Sequence, residues 1–517
     1  MDSPLILTFD VGTQSCRAML VDKHGNFAGI ARVKYDVPFF SKETGYAEQT
    51  PNFYLDKISE SCAKLKQTNA SDFANIAAVT ITTIRDTVLC LDENNEPLRD
   101  FIVWIDKREA ADDIEIPAHK KVIFQLAGMT DTVHMQYRAT AYNWLYQNER
   151  DIIDKTAKYV MLPTYLNYKL TGRLVDSYAN MIGHVPFDYE KCTWQAMSAL
   201  TRLFCDIPPE KLPDLIAPGD TVGTITEEAE FLTGIPAGLP LITTGSDKGC
   251  ETLGLSVLGK GKAALSFGTT ATVQTTTKKY IEPQQFMPAY PAAIKGYYNP
   301  EIQIYSGYWT ISWFIREFCE KEIIESHKTG KSVEEILNEH LKDIPPCCEG
   351  LVMQPYWTPG ITIPNAKGTL TGFTTKHTKY HVYRSIIEGI GFALYEGMKG
   401  IEKRSNDEIR ELFVAGGGSQ SDEICQITAD MFGLPVKRIH THEASGIGSS
   451  MIAFVSLGVY RDISEAIKNM IRVKDVFKPN MSIHKKYMNT YYYVYEKIYP
   501  RLLPVFKGMK KNSGGKI

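Results

Sequence analysis

Apolar and polar positions alternate over the first forty residues in a way that predicts β-strands. The apolar run Leu5–Phe9 is followed by "RAMLVD" and "FAGIARVKY", with short polar turns between them. Ile76–Ile84 is a further candidate for a buried strand. The intervening "PNFYLDKISESCAKLKQT" has apolar residues at helical spacing. This order predicts an α/β fold that opens with a meander of antiparallel strands.

The opening pattern recurs in the second half of the chain. There "PLITTG" and a helix candidate of small residues precede the predicted strands "KAALSF" and "TATVQT", which the turn Gly268–Thr270 joins. The turn in "FDVGTQSC" likewise combines a glycine with hydroxyl side chains. A third strand-to-helix passage is "ELFVAGGGSQSDEICQITADMFG". We therefore predict a duplicated fold with a ligand between its halves.

Two segments depart from this pattern. The stretch from Lys120 to Leu203 is more helical and rich in Tyr and Trp. The last ten residues, "GMKKNSGGKI", have the composition of a disordered tail.

Composition excludes several classes of protein. A length of 517 residues suggests about three domains, or two large ones. With 57 Lys and Arg against 60 Asp and Glu, the net charge of −3 offers no support for a nucleic-acid partner. Ten cysteines without a C-x-x-C pair are typical of reduced thiols in a cytoplasmic protein. The start has no signal-peptide pattern, and no stretch approaches the ~18 apolar residues of a membrane span. We expect a soluble enzyme without a membrane partner.

The opening turn has the chemistry of a phosphate and metal site. Asp10 closes a buried strand, and Gly12 and Thr13 follow it. Backbone N–H groups around a glycine hold phosphate, and Mg²⁺ keeps several waters, so one carboxylate suffices to hold it. Taken alone, the motif equally allows a polar hairpin turn.

Two later turns extend this interpretation. Gly268–Thr270 resembles the first turn, and Ala415–Ser421 is a glycine-rich strand-to-helix junction suited to a nucleotide lying against backbone. The alternative for the junction is a tight turn with close helix packing. Three such turns in this order are more specific than any one of them.

Two apparent motifs carry no such chemistry. Gly254–Gly261 matches a P-loop except that it ends in glycine, and Thr329–Ser332 has Glu325 where the first glycine belongs. His440 and His442 lack the Cys or carboxylate pattern of a metal site, and the small residues after them indicate close packing of a helix.

Taken together, the motifs resemble the FGGY family of carbohydrate kinases, whose relatives include glycerol kinase and xylulokinase. The resemblance runs in family order from about Leu5 to about Tyr460. The segments that carry it are "DVGTQSCRAMLVDKHGN", "GYAEQTP", "ITTIRDT", "IVWIDKR", "YLNYKLTGRLVDSYAN", "TTGSDKGCETLG", "SFGTTATV" and "VAGGGSQSDEICQITADMFGLPV".

The resemblance implies an actin- and hexokinase-like (ribonuclease H-like) fold of two α/β domains with an interdomain cleft for ATP and substrate. Residues 1–253 would form the N-terminal domain with the phosphate turn and the catalytic aspartate. Residues 254–485 would form the nucleotide-binding C-terminal domain, and 486–517 a helix and tail. The implied activity is Mg²⁺- and ATP-dependent phosphorylation of a hydroxyl of a small sugar, sugar acid or polyol.

The same resemblance assigns site residues. Phosphoryl transfer depends on positioning and charge neutralisation, with one carboxylate orienting the nucleophile, and Asp247 would be that base. Asp10 would hold Mg²⁺ through water. The phosphates of ATP would meet Asp10, Gly12, Thr13, Gln14 and Arg17 from one domain and Gly268 and Thr269 from the other, with Gly417, Gly418 and Ser419 beside the adenosine. The substrate would contact Arg85, Asp86, Trp104 and Asp247.

These assignments have ordinary alternatives. An Arg can bond two hydroxyls and a Trp can pack on C–H faces, but a Trp beside a strand is usually core and an Arg usually forms a surface ion pair. Asp247 could instead cap a helix.

The sequence departs from the family pattern around the substrate. Gln136–Trp144 keeps the Trp of the first family signature without its Lys, Tyr356–Gly368 replaces an S-G-E-R-T-P-like segment, and Asp86 is shorter than the expected Glu. The nucleotide motifs are retained while the substrate segments differ. This puts glycerol and xylulose themselves in doubt as substrates, and the chain resembles an orphan branch of the family whose substrate is open; a homodimer is left open.

Two rival functions share this fold. An actin- or chaperone-like ATPase would carry a peptide-binding domain or polymerise, and nothing after Tyr460 is long enough for such a domain. A catalytically silent sugar sensor is disfavoured because Asp10 and Asp247 are both present.

Overall fold

The computed structural model describes residues 4–126, 128–285, 287–360 and 362–512. The chain forms two compact units. The first unit comprises Met1–Ser256, Tyr290–Tyr298 and Glu443–Ile471, and the second comprises Val257–Ala289, Asn299–His442 and Arg472–Ile517. The domain boundaries predicted at 253 and 485 stay a prediction. The two compact units have other bounds, because the late segment Glu443–Ile471 belongs to the first unit.

Strands and helices alternate along the chain. The strands are β1 (Leu5–Val11), β2 (Ser15–Asp22), β3 (Phe27–Lys34), β4 (Glu48–Gln49), β5 (Ile76–Thr83), β6 (Val88–Leu91), β7 (Phe101–Ile102), β8 (Lys158–Met161), β9 (Val175–Ser177), β10 (Phe187–Asp188), β11 (Thr193–Trp194), β12 (Asp214–Ile216), β13 (Thr221–Thr224), β14 (Pro240–Ile242), β15 (Lys262–Phe267), β16 (Ala271–Gln274), β17 (Tyr290–Pro291), β18 (Tyr298–Asn299), β19 (Glu301–Ile304), β20 (Val352–Gln354), β21 (Thr369–Thr371), β22 (Glu411–Ala415), β23 (Val436–Ile439) and β24 (Val473–Phe477).

The helices are α1 (Phe53–Asn69), α2 (Ala118–Leu126), α3 (Thr130–Ala139), α4 (Ala141–Asn148), α5 (Arg150–Lys155), α6 (Leu162–Thr171), α7 (Glu227–Thr233), α8 (Asp247–Gly254), α9 (Trp309–Phe318), α10 (Glu320–Thr329), α11 (Val333–Glu339), α12 (Lys379–Ser405), α13 (Asp422–Phe432), α14 (Ala444–Ser456), α15 (Ile463–Met470), α16 (Met481–Thr490) and α17 (Glu496–Asn512). Within the described ranges, no helix is both long and apolar enough to cross a membrane.

A six-stranded sheet forms the centre of the first unit, in the order β13-β14-β5-β1-β2-β3. Strands β1, β2 and β3 pair antiparallel, which confirms the predicted meander. Strands β1, β5 and β14 run parallel, and β13 pairs antiparallel with β14. Parallel strands buried on both faces are near-continuous apolar runs, as in "LILTFDV".

The second unit repeats this sheet in the order β19-β16-β15-β22-β23-β24. Strands β19, β16 and β15 are antiparallel neighbours, β15, β22 and β23 run parallel, and β24 is antiparallel to β23. In the reverse order, β24-β23-β22-β15-β16-β19, this sheet has the strand directions of the first sheet at every position. The predicted duplication of the fold is confirmed at the level of the sheets.

The period-two alternation of β1 sends its side chains to two layers. Phe9 and its alternate neighbours join the core cluster that contains α1, while Ile6 joins the cluster that contains residues of α8 and α14. Thr8 also lies on the α14 side, where its hydroxyl bonds Ser450 at 2.9 Å. The alternation therefore directs Asp10, two residues further on, toward the start of α14.

Helices α8 and α14 approach each other closely through glycines. A Cβ atom at Gly254 would lie 1.9 Å from the Ala444 carbonyl oxygen, and one at Gly448 would lie 1.9 Å from that of Cys250. Only glycine fits at these two positions. This confirms the packing interpretation of the small residues after His442.

The C-terminal helix α17 runs through Asn512. Its Ile498 and Phe506 are buried, so packing extends the helix despite two internal prolines. The predicted disordered tail is wrong for residues 508–512, and residues 513–517 lie outside the described residues.

Candidate active site

Three predicted site segments of the first unit follow parallel strands. Asp10 lies near the end of β1, Arg85 follows β5, and Asp247 follows β14. The carboxyl ends of parallel strands meet at one edge of a sheet, where ligands of open α/β sheets bind. Two contacts tie the segments together: the Ile84 amide donates to the Val11 carbonyl at 3.1 Å, and the Thr82 hydroxyl donates to the Gly245 carbonyl at 2.9 Å.

Asp10 is a buried carboxylate held on one oxygen. Its Oδ2 accepts from Arg17 Nη1 at 3.0 Å and from Ser445 Oγ at 2.9 Å. Burial raises the pKa of the Asp10 carboxyl, and the Arg17 guanidinium beside it acts in the opposite direction. Arg17 also lies 3.4 Å from Glu443, so its charge is balanced by two carboxylates of the first unit.

The first turn connects a predicted phosphate contact with a predicted substrate contact. The Gly12 amide donates across the turn to the Ser15 carbonyl at 3.0 Å, which closes the hairpin. The Thr13 hydroxyl accepts from Trp104 Nε1 at 2.9 Å. The Trp104 residue is 36% exposed, so it is no core residue. Gln14 is exposed at the tip of the turn.

Asp247 is the first residue of α8 but does not cap it. That role belongs to Ser246, whose hydroxyl accepts from the Gly249 amide. The Asp247 Oδ1 atom accepts from the Lys248 amide at 2.7 Å and lies 3.9 Å from Arg85 Nε. The side chain is 30% exposed. Burial raises the pKa of the Asp247 carboxyl to about 6, against the opposing effects of Arg85 and then Lys248.

Arg85 is fixed on several sides. Its Nε donates to Ser246 Oγ at 3.0 Å, and its guanidinium carbon lies 5.2 Å from the centre of the Tyr290 ring, a cation–π distance. Arg85 thus forms an ion pair, as its ordinary alternative supposes, and that pair is with the predicted base Asp247.

Asp86 is bound to a residue that the motifs do not include. Its Oδ1 accepts from the His184 amide at 3.0 Å, and its Oδ2 bonds His184 Nδ1 at 2.7 Å. Burial raises the pKa of Asp86, but His184 outweighs this effect, and the pKa lies below its ordinary value. Conversely, Asp86 outweighs burial and raises the pKa of His184.

Sequence reasoning missed His184 and two tyrosines beside it. The Tyr189 hydroxyl donates to the Gly183 carbonyl at 3.3 Å, and its ring centre lies 5.6 Å from that of Tyr290, the residue under Arg85. For His184 and Tyr189 the sequence signal is the richness in Tyr and Trp of the stretch from Lys120 to Leu203, and Tyr290 lies outside that stretch.

In the second unit, backbone amides at the start of α9 hold the turn after β15. The Gly268 carbonyl accepts from the Tyr308 amide at 3.0 Å, and the Thr269 carbonyl accepts from the Trp309 amide at 3.2 Å. Thr269 is exposed. Because β15 and β22 run parallel, this turn and the glycine-rich junction after β22 belong to the same edge of the sheet.

The junction after β22 separates its three predicted contacts. Gly418 is buried, and a Cβ atom there would lie 2.4 Å from the Tyr308 ring. Ser419 is also buried, and its hydroxyl donates to the Gly416 carbonyl at 2.7 Å. Gly417 is exposed, and a Cβ atom there would meet no atom within 4 Å. Of the two glycines, the protein's own packing requires Gly418 but not Gly417.

The described part of the chain contains no group of three or more His, Cys, Asp and Glu side chains arranged to hold a metal ion. His440 Nδ1 accepts from the Arg472 amide at 3.3 Å. A magnesium ion held by one carboxylate and water needs no such group.

Known proteins share this architecture over nearly the whole chain. The crystal structure of gluconate kinase from Lactobacillus acidophilus superposes with a TM-score of 0.81 at 22% identity, covering 98% of this chain and 100% of that one. This likeness shows the fold, which is the two-domain α/β fold of actin- and hexokinase-like kinases.

Sequence relatives are also sugar kinases by name. The chain is 33% identical over 330 residues to the uncharacterized sugar kinase YgcE of Escherichia coli (strain K12), spanning 62% of this chain and 66% of that protein. It is 26% identical over 508 residues to the xylulose kinase of Staphylococcus epidermidis (strain ATCC 35984), spanning 96% of this chain and 97% of that protein.

The duplicated two-domain fold defines an actin- and hexokinase-like protein. The N-terminal domain model of the FGGY family of carbohydrate kinases matches residues 5–254, and its C-terminal domain model matches residues 263–457. The chain belongs to the FGGY family of carbohydrate kinases. Its activity is ATP-dependent phosphorylation of a hydroxyl of a small sugar, sugar acid or polyol, which sets aside the actin- and chaperone-like alternative.

Proposed function

We propose that Asp247 is the general base that takes the proton from the attacking hydroxyl. The observation that carries this proposal is a 30% exposed carboxylate at the start of α8, whose pKa of about 6 suits it to accept a proton near neutral pH. Arg85, 3.9 Å away, keeps that pKa from rising further and orients the hydroxyl-bearing substrate.

The phosphates of ATP meet the two hairpin turns in this proposal. In the first turn, the Thr13 hydroxyl accepts from Trp104, so its own proton is left to donate to a phosphate oxygen. The Gly12 amide is used within the turn, which leaves the Thr13 and Gln14 backbone as the better phosphate donors. In the second turn, Gly268 and Thr269 contact the phosphates. Gly417 lies against the adenosine.

Asp10 is the proposed magnesium ligand, through water. Both of its hydrogen bonds reach Oδ2, and a carboxylate oxygen is the hard donor that Mg²⁺ prefers. The bound ion would neutralise charge on the phosphate oxygens. Arg17 and Ser445 hold the carboxylate in place.

The substrate in this proposal is a polyhydroxylated small molecule bound by Arg85 and the exposed Trp104. Relatives named xylulose kinase, gluconokinase and glycerol kinase span a sugar, a sugar acid and a polyol. Departures around the predicted substrate segments favour a substrate other than xylulose or glycerol. We also propose a cytoplasmic location, because all ten cysteines are free thiols.

The test combines a substrate panel with Asp247→Asn. Wild-type protein, Mg²⁺ and ATP are assayed for ADP release with ketoses, polyols and sugar acids, which also identifies the substrate. Asp247→Asn keeps the shape of the site but removes the base, so kcat falls by about 100- to 10,000-fold. ATP affinity, measured by calorimetry, stays the same.

Asp154→Asn is the matched control, because Asp154 is an exposed carboxylate paired with Arg150 on the surface. It leaves kcat unchanged. An Asp247→Asn variant with full activity would disprove the role of this residue, and a wild-type protein that turns over no compound would support the silent-sensor alternative.

A further inference from the structure

The Asp86–His184 pair is built from two unusual backbone positions. Asp86 has a φ of +49°, a region that non-glycine residues seldom occupy. Gly183 has a φ of +148°, and a Cβ atom there would lie 2.2 Å from Asp86 Oδ1. Conformations of this kind cluster at functional sites. Both serve the same end, because they bring Asp86 against the amide and the ring of His184.

The pair fixes the orientation and the tautomer of the imidazole. Both oxygens of Asp86 are used on His184, one on its amide and one on Nδ1. A carboxylate only accepts, so Nδ1 carries the proton, and the other ring nitrogen, Nε2, is directed away from Asp86. The His184 side chain is 31% exposed, so the ring is accessible to a small molecule.

The pair is connected to the proposed base through contacts within the first unit. Asp86 directly follows Arg85, which lies 3.9 Å from Asp247. The His184 side of the pair is also connected to Arg85. Tyr189 contacts Gly183, and its ring lies 5.6 Å from the Tyr290 ring, which contacts Arg85. His184 and Asp247 are therefore linked through neighbouring side chains of the first unit.

We propose that His184 binds a second hydroxyl of the substrate through Nε2, and that Asp86 is a positioning residue acting through His184. This rests on the proposed function of the site. It assigns to Asp86 an indirect role in place of the direct contact that its motif implies. It also defines the substrate class further, as a molecule with at least one hydroxyl besides the one that is phosphorylated.

The competing explanation is structural. The same hydrogen bonds could serve only to fasten the segment from Gly183 to the loop after β5. The two explanations differ in which atom of His184 matters: Nε2 for substrate binding, Nδ1 for fastening. Two substitutions separate them, because the amide of Asn lies near the position of Nδ1 and the amide of Gln near that of Nε2.

The experiment measures kcat and KM for the best substrate of the panel and for each of its monodeoxy analogues. His184→Asn keeps a donor for Asp86 but removes Nε2. We expect KM for the full substrate to rise about tenfold while kcat changes less than about threefold. We also expect the wild-type preference over one deoxy analogue to collapse toward unity, while the unfolding midpoint is retained. His184→Gln is expected to keep part of the preference and to lose thermal stability.

His134→Asn is the matched control. His134 forms a similar pair with Asp112, Nδ1 to Oδ1 at 2.6 Å, on an exposed part of the same unit. It leaves KM and the preference unchanged. Wild-type KM and wild-type preference over every deoxy analogue in His184→Asn would overturn the proposal. If wild-type protein phosphorylates no compound at all, the proposed function itself fails, and that result is distinct from an active enzyme indifferent to His184.

Discussion

The two glycine–threonine turns occupy equivalent places in two copies of one sheet. Gly12 and Thr13 follow β1, and Gly268 and Thr269 follow β15, each in a hairpin to an antiparallel neighbour. They differ two residues before the glycine, where the first has Asp10 and the second has Ser266. Duplication has thus supplied the same backbone twice, and only one copy carries a charge.

The difference between the copies extends to their surroundings. Asp10 contacts Arg17 and Ser445, and the neighbouring strand ends of the first unit present Arg85 and Asp247. The corresponding edge of the second unit presents glycines and Thr269. Under the proposed function, proton transfer and metal binding are tasks of the first unit, both turns bind the phosphates, and adenosine recognition is a task of the second unit.

The test with the largest expected effect removes the charge at the first turn. Asp10→Asn keeps acceptors for Arg17 and Ser445 but removes the negative charge, so we expect kcat to fall at least about 100-fold. Activity should also require a higher Mg²⁺ concentration, as measured by titration of the ion at saturating ATP.

Ser266→Ala is its counterpart in the second turn. It removes a hydroxyl and no charge, so kcat should change by less than about threefold. Equal losses in the two variants would contradict the division of tasks between the units.

A test of intermediate size follows the pH dependence of kcat/KM. Because Asp247 must be deprotonated to act as a base, activity should fall about tenfold per pH unit below its pKa of about 6. Arg85→Gln removes the cation that lowers this pKa, so the acid limb should move to higher pH. A Thr269→Val variant, in the second turn, should leave the limb where it is. If the acid limb of kcat/KM stays at the same pH in Arg85→Gln, a group other than Asp247 titrates there.

The smallest test compares two neighbouring glycines of the second unit. Gly417→Ala adds a methyl group where the protein has open space, so stability is kept, while KM for ATP rises about three- to tenfold if the nucleotide lies there. Gly418→Ala instead forces a methyl group against Tyr308 and should cost about 1–3 kcal/mol of unfolding free energy. An unchanged KM for ATP in Gly417→Ala would place the adenosine elsewhere.

The sequence was informative where chemistry and strand ends coincide. Asp10 could be singled out because it ends an apolar run and precedes a glycine and hydroxyls, whereas Asp247 was assigned through the resemblance to the family. The alternation of β1 even predicts the face on which Asp10 lies. The duplication was also visible, because both copies keep the order of apolar run, glycine and hydroxyl.

Partners distant in sequence could not be predicted in this way. His184 lies 98 positions from Asp86, and Ser445 lies 435 positions from Asp10. Neither pair has a spacing that a local pattern could reveal, because tertiary packing alone brings the residues together. The same holds for the glycine-rich junction, where only packing distinguishes exposed Gly417 from buried Gly418.

The prediction of a disordered tail was wrong for residues 508–512 for a different reason. Its composition suggested disorder, yet apolar residues at positions 498, 502 and 506 recur every four residues, the spacing of one helix face. Phe506 is buried on that face, and its packing carries the helix onward.

The return of Glu443–Ile471 to the first unit has a consequence for synthesis of the chain. Helix α14 supplies Ser445 to Asp10, and its Gly448 fits against α8, beside the proposed base. A chain emerging from the ribosome therefore holds an incomplete first unit, with an uncovered apolar layer, until the whole second sheet has been made except β24. Domains ordinarily finish in the order of their synthesis. Here the unit that starts first is finished late, so no fragment cut at residue 256 can contain the complete site.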